Sequence, residues 1–445
     1  MTARKFQLVF IALGGALTLL QLLGLYLQTA GDYDGAIAAA LGQGALYLAA
    51  VFCLTRNGAN VRGLLWLILA VAVILRVATV EFPPYLSSDI YRYVWDGEVQ
   101  GAGINPYRYV PADDNLKELR DSAIYPSVNR ANYARTIYPP AAQFIFLGVT
   151  RISATVLAMK IAMLAFDLAT IFLLLRLLKE LRAPPSHIAI YAWHPLAIWE
   201  IAGSGHVDAA AAAFVTVALL ACYRRAPFIA GLFLASAALV KFLPIAIVPA
   251  LYRRWDWRLP AAFAATAICF YLPYLSVGGE VLGFLPAYVS EERLATGGGY
   301  FIVSLISFVS GWTLPAVAYL AAALLLLAAL AVLAMRDAAK GDWARQLGWC
   351  LSLATTLLIL LTPHYPWYFL WLLPLLCLAP RWPVLILTTG SFVLYAVLEN
   401  RSGARELVFN SVLYGSFLLA TAGQLWVHRR ERRSAAAEET AGSGR

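Results

Sequence analysis

The hydrophobic and polar positions of the chain alternate between long apolar runs and short polar connections. From Phe6 to Val427, nearly uncharged runs of about twenty residues recur, which is the length that an α-helix needs to cross a bilayer. The short alternating segments of a transmembrane β-barrel are absent. The pattern therefore predicts an all-α polytopic membrane protein with about 13–14 transmembrane helices.

Two long loops interrupt this pattern, at residues 81–153 and 278–312, and the first is far longer than an ordinary connection. In the 81–153 loop, a helix that starts near Ser88 and ends before Gly103 has one polar and one apolar face. Such a helix typically lies on a membrane or protein surface. The polar face consists of Asp89, Arg92, Asp96 and Gln100. Residues 138–152 form a shorter apolar stretch, which we predict to be re-entrant or interfacial.

The composition and the distribution of charge favour one integral-membrane domain. The chain is 61% hydrophobic and 13% charged, which excludes a soluble protein. We expect residues 1–428 to form the domain and residues 429–445 to form a disordered basic tail. Most Lys and Arg residues lie in short connections and in this tail, which predicts cytoplasmic termini and places both long loops outside. The same distribution explains the net charge of +9 without a nucleic-acid partner.

The sequence contains no pattern that indicates a metal or a cofactor. The five Cys residues lie inside or at the ends of apolar runs, and no pair has ligand spacing. Zinc spacing, a dinucleotide fingerprint and a Ser-His-Asp order are also absent. We therefore predict neither a metal site nor a cofactor.

Asp89 is the strongest candidate for chemistry because of its position in the chain. It closely follows the apolar run 63–80 and shares a helix face with Arg92 and Asp96. Such a carboxylate can also be a solvated acid or a partner in helix capping. Its combination with a cation favours a site where Asp89 accepts a proton from a sugar hydroxyl and Arg92 stabilises an anionic leaving group. Asp96 is either a partner in that site or an ion pair for Arg92.

Lys241 is the second candidate, because it lies in the middle of the otherwise apolar segment 228–252. Both ends of this segment adjoin basic residues and Pro244 interrupts it, so a broken hairpin is predicted. An unpaired Lys in the membrane costs on the order of a few kcal/mol, which makes it a functional candidate. Alternatively, it reaches the interface or pairs with Asp167 or Glu200. The phosphate of a lipid would be a natural ligand.

Two further clusters lie at the predicted outer ends of spans. His206 and Asp208 follow a Gly-Ser-Gly sequence, where a turn would let the two side chains converge, and the alternative for Asp208 is a helix cap. His364 and Tyr365 belong to the segment 362–369, whose aromatic residues also fit an interfacial belt. His364 lies between two prolines, and a histidine held in this way suits a hydrogen bond to a phosphate or a hydroxyl.

In their order and approximate spacing, these stretches resemble the GT-C class of membrane glycosyltransferases. The likeness is strongest to bacterial mannosyltransferases that use polyprenyl-phosphate mannose. The stretches that carry it are Ser88-Asp-Ile-Tyr-Arg-Tyr-Val-Trp-Asp-Gly97, Gly103-Ile-Asn-Pro-Tyr107, Tyr138-Pro-Pro140, Gly205-His-Val-Asp208, Leu239-Val-Lys-Phe-Leu-Pro244 and His364-Tyr-Pro-Trp-Tyr368. Val207 departs from the family pattern, which usually has Asn at this position.

The resemblance implies a GT-C-like bundle and an inverting transferase that requires no metal. It implies that Asp89 acts as general base, so that the acceptor hydroxyl attacks the anomeric carbon opposite the lipid-phosphate leaving group. Cations that stabilise the growing phosphate charge then matter more than a general acid. The candidates for this task are Arg92, Lys241 and His364, and further supporting or substrate-binding residues are Asp96, His206, Asp208 and Tyr365.

We therefore predict a hexosyltransferase, with mannose preferred, that works on the outer side of the cytoplasmic membrane. Its partners would be a polyprenyl-phosphate-linked sugar donor, a glycan or glycolipid acceptor and the bilayer. An alternative is a transporter or flippase of lipid-linked sugars, which predicts ionisable groups near the bilayer midplane and broken helices in two repeated halves. A third hypothesis keeps the chemistry but changes the donor sugar or makes the acceptor a protein.

Overall fold

The computed structural model describes residues 2–57, 61, 63–84, 86–398 and 403–442, and helices make up its regular structure. The first eight α-helices are α1 (Ala3–Thr29), α2 (Tyr33–Asn57), α3 (Leu64–Val80), α4 (Asp89–Gly101), α5 (Pro140–Thr150), α6 (Val156–Glu180), α7 (Ala189–Ala192) and α8 (Asp208–Tyr223). The next eleven are α9 (Pro227–Val240), α10 (Val248–Leu251), α11 (Arg258–Tyr271), α12 (Leu285–Glu291), α13 (Phe301–Ser310), α14 (Ala316–Ala338), α15 (Trp343–Leu361), α16 (Leu373–Leu378), α17 (Trp382–Gly390), α18 (Tyr395–Leu398) and α19 (Gly403–Gly442). A π-helix spans Ala197–Gly203, and the 3₁₀ helices are Asp114–Leu119, Tyr125–Ser127, Pro185–Ile188, Leu243–Ile247, Leu272–Leu282, Pro366–Leu372 and Ser391–Leu394.

The prediction of an all-α polytopic membrane protein is confirmed. Within the described residues, six helices are long and apolar enough to cross a bilayer. They are Ala3–Thr29, Tyr33–Arg56, Val156–Glu180, Arg258–Glu291, Ala316–Ala338 and Trp343–Leu361. The π-helix and α8 form one further candidate, bent by 120°, and the remaining apolar helices are 10–17 residues long. The number approaches the predicted 13–14 only when these shorter helices are included, because breaks divide several apolar runs.

The run from His187 to Ala202 shows why the number of full-length spans is smaller than predicted. The sequence predicts one transmembrane helix here, but the chain forms short helical pieces on either side of Pro195. Proline interrupts the hydrogen bonding of a helix, which accounts for this break. Every side chain from residue 188 to residue 202 is buried within the protein. The apolar character of this run thus reflects a protein core rather than contact with lipid.

A buried ion pair fastens α3 to α6. The Arg76 guanidinium pairs with the Asp167 carboxylate, and Arg76 also donates to the Ala192 carbonyl at 2.8 Å. The Tyr191 hydroxyl donates to the same carboxylate at 2.8 Å. A buried charge is costly without a partner, so each member of this pair requires the other. Asp167 is therefore occupied by Arg76, and the alternative in which Lys241 pairs with Asp167 is wrong.

The helix α4 differs from the surface helix that its two faces predict. It has the expected start, with Ser88 as its N-cap, but its polar face is buried against later residues of the 81–153 loop. Gly97 permits α5 to pack closely, because a Cβ atom there would lie 2.6 Å from the Phe146 carbonyl oxygen. On the polar face, the Gln143 amide donates to Asp96 at 3.1 Å. The loop thus folds over α4 and buries the part of its polar face that carries Arg92 and Asp96.

The 81–153 loop and the 278–312 loop are joined directly. The Phe284 amide donates to the Thr136 carbonyl at 3.0 Å, and the Arg135 guanidinium lies 2.7 Å from the Glu280 carboxylate. Gly283 has φ +57°, and a Cβ atom at this position would lie 1.8 Å from the Thr136 carbonyl oxygen. Only glycine fits such a conformation and such a close contact. The two loops therefore form one layer over the ends of the helices.

The last helix, α19, extends to Gly442 and packs against α17 and α13. Its final residues belong to the segment 429–445, where the sequence predicts a disordered tail. Its first turn is held to the 278–312 loop by an ion pair between Arg293 and Glu406.

Candidate active site

The two joined loops and the helix ends beneath them enclose a cavity of about 800 Å³. Five parts of the chain line it: residues 86–92, 129–139, 240–243, 284–294 and 358–368. Predicted site residues among them are Asp89, Arg92, Lys241, His364 and Tyr365. Asp96, His206 and Asp208 lie behind the cavity wall instead. Groups from widely separated parts of the sequence therefore meet at one concave site.

Asp89 lies on the first turn of α4, where its negative charge complements the helix dipole. The Asn129 side-chain amide donates to the Asp89 Oδ1 atom at 2.7 Å. The Tyr138 phenol lies nearby, and its pKa is raised well above the ordinary value, first by burial and then by the Asp89 charge. Tyr138 consequently remains a neutral hydroxyl at physiological pH. The Asp89 carboxylate thus has two neutral groups beside it, the Asn129 amide and the Tyr138 phenol, which can orient it.

Arg92 and Asp96 form a buried pair rather than an open catalytic cluster. The Arg92 Nε atom donates to Asp96 at 2.8 Å across one helical turn, and only 4% and 1% of the two side chains are exposed. Arg92 also donates to the Ala134 carbonyl at 3.1 Å. Its hydrogen-bonding groups therefore hold the 81–153 loop on α4. Of the two roles considered for Asp96, the structure shows the ion pair with Arg92.

Lys241 lies at the break that the sequence predicts within segment 228–252. It ends α9 with an extended backbone, and Pro244 follows inside a 3₁₀ helix. Its ammonium group donates to both oxygens of Asp208, at 2.9 and 3.0 Å, and lies 4.0 Å from the centre of the Tyr368 ring. Lys241 is 18% exposed, towards the cavity, whereas Asp208 is 1% exposed. The proposed pairing with Glu200 is therefore wrong, because Asp208 is the partner.

His206 and Asp208 do not converge in the turn that precedes α8. Asp208 points to Lys241, whereas the His206 ring stacks on Trp367 with ring centres 4.2 Å apart. The His206 Nε2 atom lies 3.3 Å from Glu200, whose carboxylate accepts a hydrogen bond from Tyr395 at 2.8 Å. The His206 and Glu200 side chains are both buried. The His206 ring supports Trp367, which lines the cavity.

His364 is held by an acid that the sequence analysis did not identify as a site residue. The His364 Nδ1 atom is hydrogen-bonded to the carboxylate of Glu292, which is almost fully buried. The Tyr365 hydroxyl lies 3.5 Å from the same carboxylate. A carboxylate at Nδ1 fixes the ring orientation and leaves Nε2 for other contacts. A feature of the sequence could have identified Glu292 as a site residue. It is the charged sequence Glu291-Glu292-Arg293, which lies within a mostly apolar and Gly-rich stretch.

Arg130 adds a cation that sequence reasoning also missed. Its Nε atom donates to Glu291 at 2.7 Å, which connects the 81–153 loop to α12 beside the cavity. Burial acts to lower the pKa of Arg130, but the hydrogen bond to Glu291 and nearby groups that include Tyr365 and Asp89 raise it overall. The guanidinium is therefore charged in the cavity wall. Asn129 and Arg130 have no local pattern of their own, so only the fold reveals them.

The cavity therefore combines three chemical capacities. The Asp89 carboxylate can accept a proton, and the cations Lys241 and Arg130 can stabilise a negative charge. Apolar side chains near the lysine that remain partly exposed can hold a hydrocarbon chain. These side chains are Phe242, Leu243 and Leu361.

A protein family described as "Alpha-(1->6)-mannopyranosyltransferase, N-terminal domain" matches residues 12–256, which is more than half of the chain. The chain belongs to this family. The resemblance to mannosyltransferases, and the prediction of mannosyl transfer in general, are thereby confirmed. The part of this mannosyltransferase that matches contains Asp89, Asn129, Asp208 and Lys241, whereas His364 lies beyond it. Searches of curated proteins and of solved structures gave no match.

Proposed function

We propose that this mannosyltransferase is an inverting enzyme that transfers mannose from a polyprenyl-phosphate donor to a glycan or glycolipid acceptor. The observation that carries the proposal is that Asp89, Lys241 and His364 line a single cavity with an apolar side. A lipid-phosphate sugar requires an apolar groove, a cation for the phosphate and a proton acceptor for the incoming hydroxyl. Each requirement has a matching group in this cavity.

In the proposed reaction, the acceptor hydroxyl oxygen forms a bond to the anomeric carbon as the bond from that carbon to the phosphate oxygen breaks. Asp89 takes the hydroxyl proton, and the electron pair of the broken bond leaves with the polyprenyl phosphate. Lys241, Arg130 and His364 stabilise the charge that grows on the phosphate. Because the phosphate is a good leaving group, the reaction does not depend on a strong general acid.

The proposed polyprenyl donor is supported by the position of Lys241. A charged group at a break between apolar segments can contact a phosphate while the attached hydrocarbon chain lies along Phe242, Leu243 and Leu361. A soluble nucleotide-sugar donor would have no use for this apolar lining. The family to which the chain belongs is one of α-(1→6)-mannopyranosyltransferases, which also favours an α-(1→6) product. An inverting reaction gives an α-mannoside only from a β-linked donor, so we propose a β-linked mannosyl phosphate.

The remaining predicted residues receive supporting roles. Arg92 and Asp96 hold the 81–153 loop on α4, so we assign them to the architecture of the site instead of the leaving group. Asp208 fixes the ammonium group of Lys241. The buried His206 supports the aromatic wall that includes Trp367, next to Tyr365.

We further propose that residues 1–428 form one domain in the cytoplasmic membrane and that the cavity opens on the outer side. The distribution of Lys and Arg supports this orientation, with both termini in the cytoplasm. In a cysteine-free background, Asn132→Cys should react with a membrane-impermeant maleimide in intact cells. Labelling that requires disrupted cells would reverse the orientation.

The function is tested with the purified protein in lipid nanodiscs, supplied with β-mannosyl phosphoryl polyprenol and an α-(1→6)-linked mannose oligosaccharide. We expect a product longer by one mannose, with an α linkage by nuclear magnetic resonance. A guanosine diphosphate mannose donor should give no product. Transfer from the nucleotide sugar alone would overturn the donor assignment. Movement of the lipid-linked sugar across a vesicle membrane without transfer would instead support the flippase alternative.

Replacing Glu292 by Gln should lower kcat/KM about tenfold. The amide keeps the shape of the carboxylate, but a hydrogen bond to a charged group is worth about 1.5–3 kcal/mol, and its weakening frees the His364 ring. The measurement is steady-state transfer kinetics. Glu118→Gln, an exposed acid in the 81–153 loop, is the matched control and should have normal activity. Unchanged kinetics of the Glu292 variant would show that the orientation of His364 is unimportant.

A further inference from the structure

The Asn129 side-chain amide donates a hydrogen bond to the Asp89 Oδ1 atom at 2.7 Å, and the Tyr138 phenol also interacts with this carboxylate. The Asn129 contact joins residues 40 positions apart in the sequence, and both side chains line the cavity. A neutral amide can orient a carboxylate without pairing its charge. An Arg or Lys in this place would make the carboxylate a weaker proton acceptor.

The segment that presents Asn129 is held in a defined and strained conformation. Its next residue, Arg130, has φ +53°, in the left-handed region that non-glycine residues seldom adopt. The Arg130 carbonyl accepts backbone hydrogen bonds from Tyr133 at 3.2 Å and from Ala134 at 3.0 Å, which closes a tight turn. Strain of this kind persists where surrounding contacts enforce it, and it is frequent at functional sites.

Two contacts outside the turn enforce its position. On one side, Arg92 of α4 donates to the Ala134 carbonyl at 3.1 Å. On the other side, the Arg130 side chain is bonded to Glu291 of α12 at 2.7 Å. The turn is thus fastened both to the helix that carries Asp89 and to the 278–312 loop.

We propose that Asn129 is a positioning residue of the transferase, which holds the Asp89 carboxylate in the orientation that accepts the proton of the acceptor hydroxyl. This inference rests on the proposed function of Asp89 as general base. Asn129 itself exchanges no proton and forms no bond with the reacting atoms. Its effect therefore acts through Asp89 and appears in the chemical step.

The test uses the full-length enzyme and compares Asn129→Ala with Asn132→Ala, the same substitution at an exposed residue three positions later. We expect Asn129→Ala to lower kcat about 100-fold, with the donor KM changed less than about threefold, because a misoriented base slows chemistry rather than binding. Asn129→Gln, which retains an amide donor, should recover part of the lost rate. Asn132→Ala should leave both constants unchanged. Thermal unfolding of each variant verifies its fold.

A double-mutant cycle separates positioning from a structural effect. If Asn129 acts through Asp89, adding Asn129→Ala to Asp89→Asn should lower the residual rate no further. An equal additional loss in that background, or an effect confined to the donor KM, would overturn the inference. If Asp89→Asn alone remains fully active, the proposed function fails first. If only the Asn129 variant remains fully active, the proposed function stands and this inference fails.

Discussion

Replacing Asp89 by Asn is expected to lower kcat for mannose transfer by about 10²- to 10⁴-fold, which is the usual contribution of a positioned general base. The asparagine has nearly the same shape, and its carbonyl oxygen can still accept the hydrogen bond from Asn129. It cannot take up the proton of the acceptor hydroxyl. Because the contacts to the donor remain, the donor KM should change little. Initial rates at varied donor concentration measure both constants.

The matched control for this variant is Asp114→Asn, at an exposed acid of the same loop that does not line the cavity. It should retain normal kinetics. Both variants should unfold at the temperature of the parent protein, since neither substitution changes side-chain volume. A normal kcat in the Asp89 variant would show that another group accepts the proton, and the mechanism proposed above would have to be abandoned.

Replacing Lys241 by Met should lower kcat/KM for the lipid-phosphate donor about 100-fold, equivalent to about 2.7 kcal/mol. The substitution removes the ammonium group that faces the cavity between Tyr368 and Asp208. It also leaves the Asp208 carboxylate buried without its cation, which costs about 3–5 kcal/mol of stability. Kinetics and thermal unfolding must therefore be measured together.

The double variant Lys241→Met with Asp208→Asn separates these two effects. Removing both charges should restore much of the stability, because no unpaired carboxylate remains, whereas donor affinity should stay low. Lys241→Arg retains a cation and should keep more activity than Lys241→Met. If the double variant regains full activity as well as stability, Lys241 serves only to neutralise Asp208 and does not bind the donor.

Local spacing explains why α4 was predicted well. The positions of Asp89, Arg92 and Asp96 on one face follow from 3.6 residues per turn, and Ser88 and Gly103 mark its ends. The burial of that face was not predictable from local spacing. Whether a polar face meets water or another part of the chain depends on residues such as Gln143, 47 positions from Asp96.

The number of full-length spans is smaller than the predicted number of helices for a comparable reason. Hydropathy identifies segments that avoid water, but a segment buried in protein and a segment exposed to lipid have similar composition. The run from Ile188 to Ala202 is buried among other helices, and its interruption at Pro195 prevents one continuous span. The break at Lys241 was predictable because a charged residue and Pro244 mark it within an apolar segment.

By itself, the sequence determined the membrane-embedded helical class, the ends of α4 and the likeness to mannosyltransferases, because hydropathy and short motifs depend on neighbouring residues. Only the tertiary structure decided which charges are paired: Asp208 with Lys241, Glu292 with His364 and Asp167 with Arg76. It also decided which candidates share the cavity, and it brought Asn129 to Asp89. These partners lie 33 to 91 residues apart, so packing between helices and loops, rather than local spacing, selects them.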